Sequence, residues 1–370
     1  MNFSIEAISI SEIAGYATRG RWKDAPVIPI TPERARSQQQ NPHAHPDEPC
    51  LWVATEKDGR VLGFAGSLPG LDPRGGNRMG WNSCWWVDAD LGREAAMPLF
   101  FHFLQQWDQR VAFADMTVRT RAIVDSLGCC HTREDRLLQG YFRIPVTRVA
   151  GRLGFMRKIG YPLILPTLWL VNAIQQVRMN ASKWKKPQGD HGAGALQVES
   201  RDRLDRDIYR FISEHVERDL AHRTMEEFNW IMEHPWLVKP SPTARETGDR
   251  YPFSYMADTF TMEWIVTSRD NRITSVMMVS LRDGTLKVLY YFGGEPGDAI
   301  TALKNRVAGK RNVHALLLAH PDLLARGREF SGPCMRLTYR SRFVGVSRKL
   351  LEQFPDHTII QLGDGDSVFT

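Results

Sequence analysis

The clearest pattern of hydrophobic and polar positions lies between Leu51 and Gly70, LWVATEKDGRVLGFAGSLPG, where two apolar runs flank Lys57-Asp58-Gly59. Asp-Gly between such runs predicts a β-hairpin. Arg78–Ala89, RMGWNSCWWVDA, reads as a third strand, followed by an apolar helix in REAAMPLFFHFLQQWDQ. Val111–Thr117 reads as a strand, Arg119–Gly128 as a helix closed by a glycine C-cap, and Tyr141–Val149 as a last strand whose Pro145 keeps part of it off a central ladder. The second half repeats the order. Glu263–Leu281 predicts two strands turning at Asp270-Asn271, and Thr285–Phe292 a third after Asp283-Gly284. Asp298–Lys310 predicts a helix, because Ile300, Leu303 and Val307 share a face. Val313–His320 is then a strand, PDLLARGREF a helix opening on Pro321, and Cys334–Val346 a long final strand. Helical patterns are expected to open each copy, in ISISEIAGYATRG, in RDRLDRDIYRFISEHV and in TMEEFNWIMEH.

Both halves thus read as three strands, helix, strand, helix, strand, with a period near 200 residues. That is the signature of domain duplication rather than of a solenoid. Lys183–Ser200, KWKKPQGDHGAGALQVES, is rich in Gly and charge, lacks periodicity, and reads as the linker. The expected organisation is an N-terminal domain over 1–150, an apolar connector and linker over 151–200, and a C-terminal domain over 201–370. The expected fold class is α+β: a mixed, largely antiparallel central sheet flanked by helices, twice over.

With 370 residues, 42% hydrophobic and 24% charged, the chain can bury a substantial core. Its net charge of +6 suits an anionic ligand, a membrane surface or nucleic acid. The absence of a dense Lys/Arg run and of any nucleic-acid motif argues against the last. Five cysteines without Cys-x-x-Cys spacing, Cys129 and Cys130 being adjacent, read as reduced thiols of a cytoplasmic protein. The first residues lack the pattern of a signal peptide. Gly160–Ile174 is apolar, flanked by Arg157, Lys158, Arg178, Lys183, Lys185 and Lys186, and interrupted by Pro162 and Pro166. It is too short to span a bilayer comfortably. A buried connector helix, peripheral contact with the inner face of an anionic membrane through 154–178, and a dimer surface all remain open for it. These features leave the oligomeric state open.

The element order, together with the phrases PITPERARSQQQNPHAHPDEPCLWVA, WNSCWWVDADLGREAAM, WIMEHPWL and the ending LGDGDSVFT, resembles the GNAT acyltransferase superfamily, and in particular the tandem GNAT-like proteins of bacterial surface-polysaccharide loci. The resemblance covers roughly Pro29–Val149 and Arg203–Thr370. It implies acetyl-CoA or another acyl-CoA as co-substrate, a small-molecule amine such as an amino sugar as acceptor, and no metal. It also implies a loop between the third main strand and its helix, usually Arg/Gln-x-x-Gly-x-Gly/Ala, whose backbone amides hold the CoA pyrophosphate at a helix N-terminus. Splayed neighbouring strands would let pantetheine pair with a strand edge.

Two loops qualify. In the first, Leu91, Gly92, Arg93, Ala95 and Ala96 follow the strand ending in Trp86 and Val87, with the register displaced by one or with Gly92 in the Arg/Gln place. In the second, Gly294, Gly297 and Ala299 match, but Gly stands where Arg or Gln is expected. Glu295 and Asp298 add negative charge there, and Pro296 removes a donor. Asp298 reads more simply as an N-cap. The first loop is therefore the expected cofactor site and the second a secondary one.

For the chemistry, Asp88 and Asp115 lie at strand ends, where either could take the amine proton or simply close a turn or cap a helix. Ser83, beside Asn82, lies where an acyl carbonyl could rest. The tyrosine that family members place on the later helix has no counterpart in AIVDSLG, whose hydroxyl is Ser126. His43-Ala44-His45 with Asp47 reads as loop rather than metal site. The rings of Trp81, Trp85 and Trp86 suit either a sugar platform or core packing. Two further functions stay open: an aminoacyl-tRNA-dependent transferase of the tandem-GNAT type, and a catalytically degenerate ligand-binding or scaffold protein.

Overall fold

The structure, a computed structural model, describes residues 3–72, 77–146, 161–181, 194–332, 334–352 and 358–369. It divides into two compact units. The first comprises Met1–Asp135, Val216–Asp258 and Arg342–Thr370, the second Arg136–His215 and Thr259–Ser341.

In the first unit the strands are β1 (Phe3–Ser9), β2 (Pro49–Glu56), β3 (Val61–Leu71), β4 (Arg78–Val87), β5 (Val111–Met116) and the C-terminal part of β12 (Arg336–Ser347), in that order across the sheet. All neighbours are antiparallel except β4 and β5. The hairpin at Asp58-Gly59 forms as its sequence predicts, with the Asp58 carboxylate accepting from the Arg60 amide at 3.0 Å. Helix α3 (Arg93–Gln106) buries Ala95, Leu99, Phe100, Phe103 and Leu104 in a cluster with Trp52, Leu62 and Phe113. The opposite face is covered by α1 (Ile13–Ala17), α2 (Pro32–Gln39) and α8 (Pro242–Arg250), through Ile13, Tyr16, Ala35 and Ala244, joined by Trp22 and Tyr251 just beyond the helices. Helix α2 is capped by Thr31, whose hydroxyl accepts from the Arg34 amide, with Pro32 at the first helical position. Helix α4 (Val118–Leu127) runs from a Thr117 cap to a left-handed Gly128. α7 (Met225–Glu233) and α11 (Arg348–Leu351) complete this unit.

In the second unit the sheet order is the C-terminal part of β6 (Cys130–Tyr141), then β11 (Ala315–Leu318), β10 (Thr285–Gly293), β9 (Arg272–Arg282), β8 (Phe260–Arg269) and β7 (Gln197–Arg201), with β10 and β11 parallel. Helix α9 (Pro296–Gly309) packs Ala299, Ile300, Leu303 and Val307 with Met277, Val288 and Leu316. Helices α5 (Tyr161–Ala181), α6 (Arg206–Ser213) and α10 (Pro321–Ala325) flank it. The fold class is as expected: mixed, largely antiparallel sheets flanked by helices.

Several elements differ from expectation. The chain opens on a strand, not a helix: Phe3–Ser9 alternates with period two, and only Ile13–Ala17 is helical. The last strand of the first half is Cys130–Tyr141, ahead of the expected Tyr141–Val149. Its His131, Arg133, Glu134 and Asp135 make it look like loop, while Pro145 ends the alternative; 147–149 lie outside the described residues. In the expected linker, 183–193 lie outside the described residues, and Gln197–Arg201 forms an edge strand against β8. The two units interleave in sequence rather than following the spans 1–150 and 201–370. Residues of the second half complete the first unit's sheet, and Arg136–Tyr141 complete the second's.

Candidate functional site

The first unit's β4 and β5 run parallel but share a register only at Gly80↔Val111 and Trp81↔Ala112, although β4 continues to Val87 and β5 to Met116. Beyond Trp81 the two strands part and leave a wedge. On its other edge β4 carries a bulge. Ser67 faces Asn82 and Gly66 faces Cys84, so Ser83 has no opposite number in β3. Such an extra residue bends the strand locally, and it does so at the mouth of the wedge.

A buried polar group closes around this bulge. Arg34, 1% exposed, donates to the Ser83 carbonyl at 2.6 Å, the Tyr251 hydroxyl at 2.8 Å and the Asp366 carboxylate at 2.9 Å. Its guanidinium lies 4.5 Å from the Trp236 ring centroid. Burial raises the Asp366 pKa, with Arg34 opposing and the nearby Asp115 adding to the rise. A carboxylate with raised proton affinity is a better base at neutral pH. Burial pushes the Cys84 thiol up to about 11, which leaves it protonated and unreactive. The chain reaches the wedge through its last residues. Gly365, at φ +64°, lies so close that a Cβ there would stand 3.2 Å from Ala114 Cβ and 3.6 Å from Trp81 Cε3.

A second buried set lies behind this loop. His43 Nε2 is 3.2 Å from Glu227, which pairs with Arg223; Arg223 Nε is 3.7 Å from Asp364. Gln361 donates to Asp219 at 2.8 Å. Burial, and then the Asp364 charge, raise the Asp219 pKa well above the usual carboxylate range.

The sequence-derived residues distribute as follows. Trp86 and Val87 end β4, and Gly92 is the N-cap of α3 without a side-chain cap. A Cβ at Gly92 would stand 2.3 Å from the Leu62 carbonyl, so the loop passes too tightly for any larger residue. Leu91 and Arg93 are exposed, Ala95 is buried and Ala96 half-buried. The Asp88 carboxylate accepts from the Asp90 and Leu91 amides at 3.0 Å each and pairs with Arg60 at 3.3 Å. The Leu91 and Asp90 bonds, foremost, hold its pKa below the usual carboxylate value. That makes Asp88 a loop anchor and a weak base. Asp115 is exposed on β5. Trp81 is buried, Trp85 stacks on Phe100 at 5.0 Å and Trp86 on Phe64 at 5.5 Å, so these rings pack the core.

The second loop repeats the geometry in its own unit. β10 and β11 pair over Thr285–Lys287, and β10 carries a bulge at Leu289. Its N-cap is Glu295, not Asp298. Asp298 is instead gripped by Arg269 through three hydrogen bonds of 2.8–3.1 Å. Gly294 is exposed, whereas Gly297 abuts the Arg326 guanidinium and Ala299 is buried.

Sequence reasoning missed Arg34, Tyr251 and Asp366. Two of them sit in phrases already singled out, PERARS and GDGDS, but they meet only because the chain returns across more than 300 residues. Among the described residues no group of three or more His, Cys, Asp and Glu could hold a metal ion.

No protein-family model matches the chain, and neither does any curated protein. Solved structures do. A conserved protein of unknown function from Enterococcus faecalis, described as a probable N-acyltransferase, superposes with TM-score 0.50 at 9% identity, over 96% of this chain and 76% of that one. Saccharomyces cerevisiae N-myristoyltransferase with bound myristoyl-CoA gives 0.47 at 11% identity, over 94% and 79%. A GCN5-related N-acetyltransferase from Sphaerobacter thermophilus gives 0.45 at 10% identity, over 94% and 96%. At these identities the likeness is one of fold.

Proposed function

We propose that this protein is an acyl-CoA-dependent N-acyltransferase whose working site is the first unit's wedge. The parting of β4 from β5 after Trp81 carries the proposal, because it opens a strand edge beside an uncapped helix N-terminus. Pantetheine would pair with the edge of β4 beyond Trp81. The pyrophosphate would meet the first-turn amides of α3 and the exposed Arg93, where the helix dipole favours anions. A cationic amine acceptor would be drawn to Asp115 and Asp366. The ammonium first gives one proton to water, and as the neutral amine nitrogen forms its bond to the thioester carbonyl carbon, its second proton passes to the Asp366 carboxylate. The carbon–sulfur bond breaks, and the CoA thiolate takes a proton from water. Arg34 holds Asp366 and the Ser83 carbonyl in place for this step.

The acceptor we favour is an amino sugar or other small amine, acetyl the acyl group, and surface-polysaccharide assembly the setting. The support for that finer reading is the resemblance of the quoted phrases. The second unit's wedge, with Asp298 locked to Arg269 beside the loop, is the poorer anion site and serves as scaffold, in keeping with a duplicated ancestry.

The test is calorimetric titration of CoA and acetyl-CoA into wild type and Arg93→Glu. Binding to the first, weakened about tenfold or more in the second, is expected, since the change reverses a charge beside a doubly charged pyrophosphate. No binding to wild type at high micromolar CoA refutes the proposal. A second reading is favoured by the Asp88 carboxylate, which occupies two loop amides, and by the absence of a tyrosine in α4. In that reading the protein binds acyl-CoA without transferring it. Saturable binding with no thiol release across a panel of amines would establish it.

A further inference from the structure

Helix α5 is built inside out. Polar residues of its middle turns face the protein: Asn172 both donates to and, as acceptor, bonds the backbone of Ile144, at 3.0 and 2.9 Å. Gln176 accepts from Arg143 at 2.6 Å and donates to the Ala308 carbonyl at 3.1 Å. Gln175 and Met179 are buried. Four of its large apolar residues face away, with Trp169 68% exposed, Leu170 60%, Ile174 52% and Val177 65%. The spacing of 169, 170, 174 and 177 places all four on one helical stripe. A surface helix of a soluble protein normally has the reverse arrangement, and a contiguous exposed apolar stripe marks a binding surface.

A cavity of about 500 Å³ opens beside that stripe, lined by Trp169 and Val177, by Ile144 and Val146, and by Arg143 and Arg311. Arg143 is 5% exposed, yet its partners are the carbonyls of Val307, Val313 and Ala308 and the Gln176 amide, all neutral. Burial, then the Arg311 charge, lower its pKa. A buried cation with neutral partners and a second guanidinium nearby is an unbalanced arrangement that an anion would relieve. The surrounding sequence has the same sign. Every charged residue between Asp135 and Asp190 is Arg or Lys, whereas the remainder of the chain carries more acidic than basic residues. No helix among the described residues is long and apolar enough to cross a membrane.

We propose that the outward stripe of α5 and the cationic cavity beside it dock onto an anionic phospholipid surface, with Trp169, Leu170, Ile174 and Val177 in the headgroup–acyl boundary and a headgroup phosphate at Arg311 above Arg143. An amphipathic helix lying in the interface combines this apolar insertion with attraction to acidic lipid. Arg143 and Arg311 at the cavity, with Arg178 on the helix, favour acidic lipid over a second copy of the chain, which would bring the same charge to the contact. The proposal does not depend on acyl transfer.

The experiment is flotation of the full-length protein with vesicles of phosphatidylcholine alone and of phosphatidylcholine mixed with phosphatidylglycerol. Wild type should float about tenfold better with the acidic vesicles, and added salt should reduce this. Arg311→Glu should lower flotation about tenfold or more, since it reverses a charge at the surface. The double change Trp169→Ser, Val177→Ser should abolish it. All three residues are exposed, so thermal melting and CoA binding should stay at wild-type values. Equal flotation with neutral and acidic vesicles, or wild-type flotation of both variants, overturns the proposal. So does a concentration-dependent dimer in sedimentation velocity that the double change dissolves, which would make the stripe a self-association face.

Discussion

Replacing Arg34 by Met tests whether the group at the β4 bulge is an electrostatic unit. Met keeps much of the apolar stem but removes three hydrogen bonds, to Ser83, Tyr251 and Asp366. Removing one partner of a buried pair costs about 3–5 kcal/mol, because the remaining charge is left without compensation. Asp366 is partly buried, with 20% of its side chain exposed, and can escape the penalty by binding a proton, so the lower end, about 3 kcal/mol, is expected. At about 2–4 °C per kcal/mol for a domain of 150–250 residues, Tm should fall by about 6–12 °C near neutral pH. The pH dependence identifies the cause. The folded pKa of Asp366 is raised above its unfolded value near 3.9. Its contribution to stability is therefore fully present at low pH and is lost as pH rises through the window above 3.9. Without Arg34 that pKa rises further and the window widens. The deficit of Arg34→Met, followed by differential scanning calorimetry, should be smallest near pH 5 and should grow towards pH 8. A Tm within 2 °C of wild type at pH 7, or a deficit equal at both ends, refutes the electrostatic account. Arg34→Lys, which keeps the charge but loses the fork, should recover part of the high-pH deficit.

Three further outcomes follow from the same structure. Asp219→Asn should flatten the loss of stability towards pH 8 seen by urea titration, since the folded carboxyl holds its proton more strongly than the unfolded one and that contribution is lost as pH rises through the folded pKa; an unchanged pH profile would count against it. Gly92→Ala should destabilise by about 2 kcal/mol and weaken CoA binding, because its methyl meets the Leu62 carbonyl and shifts the start of α3; wild-type calorimetry of both properties would count against the tight loop. Asn172→Leu should cost about 1–3 kcal/mol in chemical denaturation, because the Ile144 backbone loses both partners.

What the sequence disclosed was whatever local rules govern. Asp58-Gly59, Asp270-Asn271 and Asp283-Gly284 turn where expected, the last two with positive φ at Asp270, Asn271, Asp283 and Gly284. Gly128 closes α4, and the apolar spacing of Ile300, Leu303 and Val307 buries one face of α9. Charged strands were harder to see. β6 and β7 look like loop because their pairing, not their side chains, defines them. The cofactor loop at Gly92 was legible as a strand-to-helix turn with a cation after it. The polar group at the bulge was not: Arg34, Ser83, Tyr251 and Asp366 are joined only by tertiary structure, and each taken singly reads as an ordinary surface residue or turn. Asp88 shows the converse case. Its strand-end position suits a base, but the amides two and three residues on capture its carboxylate.

The interleaving of the two units bears on how the protein is made. A ribosome that has released residues 1–200 has supplied neither Tyr251 and Asp366 for the bulge nor Arg342–Ser347 for the edge of β5. The first unit's wedge therefore acquires its wall only with residues 342–369, and the long sequence separation of these contacts makes their formation slow. Until then the β5 edge is open to other chains, the circumstance in which multidomain proteins misassemble. Growing chains arrested between residues 200 and 340 should accordingly be protease-sensitive in the first unit, with resistance there arriving only once residues 342–369 have been supplied, as limited proteolysis would show.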